Sequence, residues 1–119
     1  MFFSLLKSKL HHARVTGAEL DYEGSLSLDR DLMDAVGLAS HERLLVANLE
    51  NGNRFETYAI EAPRGSGACR LNGATAHLGK TGDRLIIMTF CMLTPEEAAA
   101  HTPRVVRLDA QNRVAGPAS

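Results

Sequence analysis

Glu42-Arg-Leu-Leu-Val-Ala-Asn-Leu49, Glu50-Asn-Gly-Asn53 and Arg54-Phe-Glu-Thr-Tyr-Ala-Ile-Glu61 together form the stretch that decides the fold. The first part is a mostly apolar run of strand length. Asn51-Gly52 in the middle part is the residue pair that a tight type I′ turn needs, because both central positions of that turn have positive φ. The third part alternates, so the chain returns as a second strand. In that strand Phe55, Thr57, Ala59 and Glu61 share one face, and Arg54, Glu56, Tyr58 and Ile60 share the other. Both faces carry polar groups, which is unusual for a plain barrel wall.

Downstream of this hairpin the signals stay short. Pro63-Arg64-Gly65-Ser66-Gly67 reads as a loop, Ala68 to Leu71 as a short strand, and Asn72-Gly73 as a second turn pair before the small residues Ala74-Thr75-Ala76. Gly79-Lys80-Thr81 resembles the end of a phosphate-binding loop. That motif needs a glycine at position 74, where this chain has Ala, and a helix afterwards; Gly82-Asp83 makes a turn instead, so a nucleotide site is rejected. Arg84 to Leu93 is a long apolar run, read as a strand buried on both faces. Thr94-Pro95-Glu96-Glu97 is a capping box, predicting a short helix over Glu96 to His101. Arg104 to Leu108 alternates as a last strand, and residues 111–119 read as a loose tail.

Upstream, Leu5 to Leu20 lacks a helical stripe and reads as strand with a break near Gly17. Ser25 to Leu28 alternates as one short strand. Asp29 then caps a short helix carrying Leu32, Met33 and Val36, ended by Gly37. Short strands, few helices and closely spaced turns predict a single, mainly β domain over residues 1–119, a small β-barrel with one or two minor helices.

Composition excludes several functions. A net charge of −1 and 23% charged residues give no general field for nucleic acid or an anionic membrane surface. Cys69 and Cys91 form no CxxC, and the five His show no ligand spacing, so no metal site is expected. Two thiols without a disulfide framework suit a reducing cytoplasm. No apolar run reaches membrane-spanning length, and Met1 to Lys7 does not read as a signal segment.

The chemistry concentrates at Tyr22-Glu23-Gly24-Ser25. A serine that follows glycine can attack the preceding carbonyl with its own hydroxyl, turning the amide into an ester. Glycine has no Cβ, so that carbonyl is accessible. Pre-positioning of this kind offsets about 7–11 kcal/mol of a bimolecular barrier. Elimination from the ester leaves dehydroalanine, which hydrolyses to a pyruvoyl group with loss of ammonia.

With Lys9-Leu10-His11, Tyr22 to Ser25, Asn51-Gly52, Arg54, Thr57-Tyr58-Ala59-Ile60, Arg64-Gly65-Ser66 and Asn72-Gly73-Ala74 in register, nearly the whole chain resembles the pyruvoyl-dependent aspartate 1-decarboxylases. The resemblance implies a six-stranded double-psi β-barrel and a homotetramer with active sites between neighbouring subunits. It also implies self-cleavage between Gly24 and Ser25, giving a β fragment 1–24 and an α fragment 25–119. The cofactor would be a covalent pyruvoyl group from Ser25, with no metal and no pyridoxal phosphate. L-Aspartate would condense with it as a Schiff base and lose CO2 to yield β-alanine for pantothenate synthesis. By the same resemblance Tyr58 protonates the carbanion, and Lys9 and Arg54 hold substrate carboxylates. Thr57 steadies the Gly24 carbonyl during cleavage and contacts substrate, while Asn72, Gly73, Ala74 and Thr75 line the pocket. Tyr22 and His11 lie near the cleavage point. The resemblance leaves room for an accessory maturation protein. Asp21 stands where some relatives carry His, and Thr75 where Ala is usual.

Taken singly, each residue has a plainer reading: Lys9 a solvated strand cation, Arg54 a strand-end charge, Tyr58 a wall residue, Asn72 a turn-former, Gly24-Ser25 a plain turn. Two other functions therefore compete: an uncleaved barrel that only binds or assembles, and a pyruvoyl decarboxylase for another small amino acid.

Overall fold

Apolar alternation drives the chain into nine strands in the computed structural model, which describes residues 1–117. In chain order these are β1 (Phe3–Arg14), β2 (Gly17–Glu19), β3 (Ser25–Asp29), β4 (Arg43–Asn48), β5 (Arg54–Ala62), β6 (Cys69–Asn72), β7 (Arg84–Leu93), β8 (Arg104–Leu108) and β9 (Val114–Pro117). Two short helices, α1 (Arg30–Val36) and α2 (Pro95–Ala99), and a 3-10 helix over Gly73–His77 interrupt them. The sheet order is β2-β6-β3-β5-β4-β7-β1-β8-β9. This is the mainly β architecture expected of a small barrel, but with nine strands and not six. The additional ones include β2 and β9, of three and four residues, too short to show any periodicity in sequence.

One apolar core runs through the sheet. Leu10 of β1, Leu26 and Leu28 of β3, Leu44 of β4, Leu71 of β6 and Leu85 of β7 are fully buried, joined by Met33 and Val36 of α1. Those two residues, with Leu32, face inward at the spacing the sequence set. Asp29 caps α1 by accepting from the Asp31 backbone N–H, and Gly37 ends it in the left-handed conformation at φ 72°. The Asp29 carboxylate is itself buried and also accepts from the backbone N–H groups of Gly65 and Gly67. It thereby locks the end of β3 to the loop before β6. The capping box at Thr94 forms as read, with Glu97 and Thr94 bonded reciprocally.

Three local expectations are corrected. The β4–β5 hairpin exists, pairing Leu44 with Thr57 and Arg43 with Tyr58, but its connection is not type I′. Gly52 alone in the loop has positive φ, at 76°, and its N–H bonds Asn48 O four residues back, so the turn is longer than two residues. β7 is buried on one face only: Leu85, Ile87 and Thr89 point inward, whereas Phe90 and Met92 are 44% and 62% exposed. The segment read as a tail contributes Asn112, which is buried and bonds Arg14 O, Arg14 N and Gly67 O, and then β9. Ala118 and Ser119 lie outside the described residues.

Candidate active site

Ser25 is the first residue of β3 and is fully buried, directly opposite Asn72 in the antiparallel β3–β6 ladder. The pairing follows from sequence, because Ser25-Leu-Ser27-Leu puts both serines on one face and both leucines in the core. The Asn72 side chain sits against that face. Its Nδ2 donates to Ser25 Oγ at 3.0 Å and to Ser27 Oγ at 2.8 Å. The Ser25 hydroxyl turns back along the chain and donates weakly to the Glu23 carbonyl at 3.4 Å. It therefore lies over the peptide units that precede it, on the side of the Gly24–Ser25 bond.

Gly73 clamps this junction. It has φ 66°, and a Cβ there would lie 2.8 Å from Gly24 Cα, 2.9 Å from Gly24 N and 2.9 Å from Tyr22 O. Only glycine allows so close a backbone approach. At Gly24 a Cβ would meet nothing within 4 Å, so packing does not demand glycine at that position. Thr75 is 8% exposed and donates its hydroxyl to Asn72 O at 2.8 Å, fixing the turn that carries Asn72 and Gly73. The Asn72-Gly73 pair opens a 3-10 helix here, where a simple turn was expected. Ala74 belongs to the same turn.

β5 runs parallel to β3 with Ala59 opposite Leu26. Tyr58 and Ser25 each precede that pair by one residue, and Thr57 and Gly24 by two. The pairing begins at Leu26 and Ala59, just after Ser25 on β3 and Tyr58 on β5. Tyr58 is half-buried, with the His41 ring tilted against it at a centroid separation of 6.2 Å. A groove of about 530 Å3 lined by His41, Arg43, Glu56, Thr57 and Tyr58 opens there. Among the described residues Thr57 and Tyr58 make no side-chain hydrogen bond within the chain. Arg54 is exposed at the start of β5, and Tyr22 is 59% exposed on the loop before Gly24.

Lys9 and His11 sit on a strand that does not pair with the strand of Ser25. Both lie on β1, which the sheet order separates from β3 by β5, β4 and β7. His11 pairs with Arg107 of β8, stacks on His12 with centroids 3.9 Å apart, and leaves Nδ1 buried without a partner. Burial foremost, then the charges of His12, Lys9 and Arg107, hold its pKa below the ordinary 6.5. A second groove of about 380 Å3, lined by Glu42, Thr89 and Phe90 among others, contains none of the sequence candidates. Ser27 is the site residue that sequence reasoning missed; its spacing of two from Ser25 was the available signal. Among the described residues no cluster of His, Cys, Asp and Glu could hold a metal ion.

Fold and site together define a small β-barrel whose polar centre is a buried serine at a glycine–serine junction. Residues 1–115 match the family model described as aspartate decarboxylase. The chain is 53% identical to the aspartate 1-decarboxylase of Phenylobacterium zucineum and 51% identical to that of Caulobacter vibrioides, in each case over 96% of this chain and 97% of the relative. It is 49% identical to the aspartate 1-decarboxylase of Caldicellulosiruptor bescii, over 96% of this chain and 89% of the relative. The chain belongs to the aspartate decarboxylase family.

Proposed function

We propose that the chain is a self-processing carboxy-lyase that converts L-aspartate to β-alanine and CO2, using a pyruvoyl group made from Ser25. Family membership supports the reaction. The observation that carries the processing is the buried Ser25 hydroxyl folded back over its own N-terminal peptide, with Asn72 Nδ2 at 3.0 Å and Gly73 pressed on Gly24.

Ser25 Oγ attacks the Gly24 carbonyl carbon, its proton passing to the departing amine as the C–N bond breaks. The resulting ester then loses the Ser25 Cα proton and expels the Gly24 carboxylate from Cβ, taking Oγ with it. The dehydroalanine left behind tautomerises, adds water and releases ammonia, leaving a ketone at the head of residues 25–119. Asn72 steadies Oγ, and Thr57 on β5 donates to the carbonyl oxygen as charge develops. Gly24 suits the attack because its carbonyl carbon is unshielded, and packing gives no other reason for glycine there.

The pyruvoyl group supplies an electron sink for decarboxylation. The pocket fits it, because the cradle of Asn72, Gly73 and Ser27 surrounds the head of β3 where it would form. Tyr58, one residue before the Leu26–Ala59 pair, is the acid that returns a proton to the substrate carbon. Arg54 and Lys9 bind the two carboxylates, the guanidinium bidentately. Tyr22 and His11 border the cleavage point, and Gly73, Ala74 and Thr75 form the floor.

Lys9 and His11 reach the site from a second copy of the chain, in a homotetramer with active sites between subunits. The exposed apolar residues Phe2, Phe3, Phe90 and Met92, grouped where β1 pairs β7, support such an interface. An accessory maturation protein would act on the exposed Tyr22 to Gly24 loop. Cys69 and Cys91 are free thiols, in keeping with a cytoplasmic enzyme, and burial pushes the Cys69 thiol up to about 12. No helix among the described residues is long and apolar enough to cross a membrane.

Incubation with L-aspartate and assay of β-alanine, beside borohydride trapping with a panel of small amino acids, tests the reaction. Adduct formation on residue 25 with aspartate alone supports the reading; a reduced adduct with a different amino acid would move the substrate assignment.

A further inference from the structure

Asn72 has two amide hydrogens and the structure gives each a serine: Ser25 Oγ at 3.0 Å and Ser27 Oγ at 2.8 Å. The two acceptors project from the same face of β3, while Leu26 and Leu28 between and after them are buried and hold the strand in register. The opposite end of Asn72 is fixed as well, since Thr75 bonds its backbone carbonyl and Gly73 follows at φ 66°. The carboxamide can therefore turn only about its own side-chain bonds, and the serines decide which way its N–H groups face.

We infer that Ser27 is a positioning residue for Asn72, holding its amide toward residue 25 both before and after self-cleavage. This deepens the self-processing reading and rests on it. In the precursor, Ser27 keeps one amide hydrogen engaged so that the other points at Ser25 Oγ, the attacking atom. During cleavage Oγ departs with the Gly24 carboxylate, so the bond to Ser25 is lost in the mature chain. The bond to Ser27 is not, because nothing in the sequence of steps touches Ser27. One amide hydrogen of Asn72 is then unengaged and still aimed at the head of β3, where it can donate to bound substrate. Without Ser27 both hydrogens would be released and the carboxamide would be free to flip its oxygen toward the site, presenting an acceptor where a donor is needed.

Two substitutions of nearly equal shape isolate the hydroxyl. Ser27→Thr keeps it and Ser27→Val removes it, and both are β-branched residues that suit a strand. The first-order rate at which fragments 1–24 and 25–119 appear is followed by denaturing mass spectrometry, with thermal melts confirming that each variant is folded. Ser27→Val is expected to cleave about two- to tenfold more slowly than Ser27→Thr, the range that one hydrogen bond commands. On an Asn72→Ala background the Thr and Val variants should cleave at the same rate, since the hydroxyl would then have nothing to position; a merely structural role would leave the difference intact. Matured Ser27→Val is expected to show a raised KM for aspartate. Equal rates for Ser27→Thr and Ser27→Val, or an undiminished difference on the Asn72→Ala background, would overturn the inference while leaving self-cleavage standing. A full-length, uncleaved unaltered chain would overturn both.

Discussion

At Ser25 the chain combines burial with a hydroxyl that has, among the described residues, one weak acceptor, Glu23 O at 3.4 Å. A serine placed there for structure would be expected to donate to a nearer carbonyl. Ser25→Ala is accordingly expected to stay full length and make no β-alanine, whereas Tyr58→Phe still cleaves and loses about a hundredfold or more in turnover, the usual worth of a general acid. Normal turnover by Tyr58→Phe would remove Tyr58 from that role. Gly73→Ala is a sharper test of the clamp, because its methyl would meet Gly24 and Tyr22 backbone atoms at 2.8 to 2.9 Å and those atoms cannot rotate away. It should slow cleavage by more than about tenfold while costing about 1–3 kcal/mol of stability; fragment formation at the unaltered rate would show that the clamp is irrelevant. Gly24-Ser25 and Asn72-Gly73 were visible in sequence as pairs, but their contact was not. The approach joins residues 49 apart in the chain, and neither propensity nor spacing reports a backbone-to-backbone distance.

The elements that carry these residues are held by polar groups more than by length. β3 has five residues, and its far end is secured by Asp29, whose carboxylate takes the N–H groups of Asp31, Gly65 and Gly67. Asp29→Ala would release all three and is expected to cost about 3 kcal/mol, a helix cap plus buried unpaired donors, measurable by denaturant unfolding. A loss under about 0.5 kcal/mol would mean that water replaces the carboxylate without penalty. Sequence read Asp29 as a cap, because a cap is local; its grip on residues 65 and 67 is tertiary and has no local signature. The same limit explains the hairpin. Asn51-Gly52 marked the reversal correctly, yet Gly52 N–H bonding Asn48 O lengthened the turn beyond the two-residue form. β7 shows a different limit: an apolar run looks alike whether or not its second face meets core, so Phe90 and Met92 read as core and proved exposed.

For the molecule as a whole, Glu42 supplies a pH signature. Burial pushes its carboxyl up, but the Ala39 N–H, the Lys7 ammonium and the Thr89 hydroxyl outweigh that and hold its pKa below the ordinary 4.5. Folding therefore favours the charged form, so this contribution is present above pH 4.5 and fades as pH falls through the lowered value. Glu42→Gln should shrink the loss of melting temperature between neutral and acidic pH, and an unchanged acid limb would assign that loss to other carboxylates. The proposed assembly is a second matter for the whole molecule. On the proposed function the active sites lie between subunits, and Lys9 and His11 come from a strand that does not pair with the strand of Ser25. Phe90→Glu is expected to reduce the assembled mass in sedimentation and lower turnover together; full activity from a monomer would place Lys9 outside the site. On the proposed function Ser25 becomes the cofactor. Intact mass under denaturing conditions tests it most directly: two species ending at Gly24 and beginning at residue 25, the second bearing a ketone in place of the serine amine. A single full-length species after prolonged warming, with no β-alanine formed from aspartate, would contradict it.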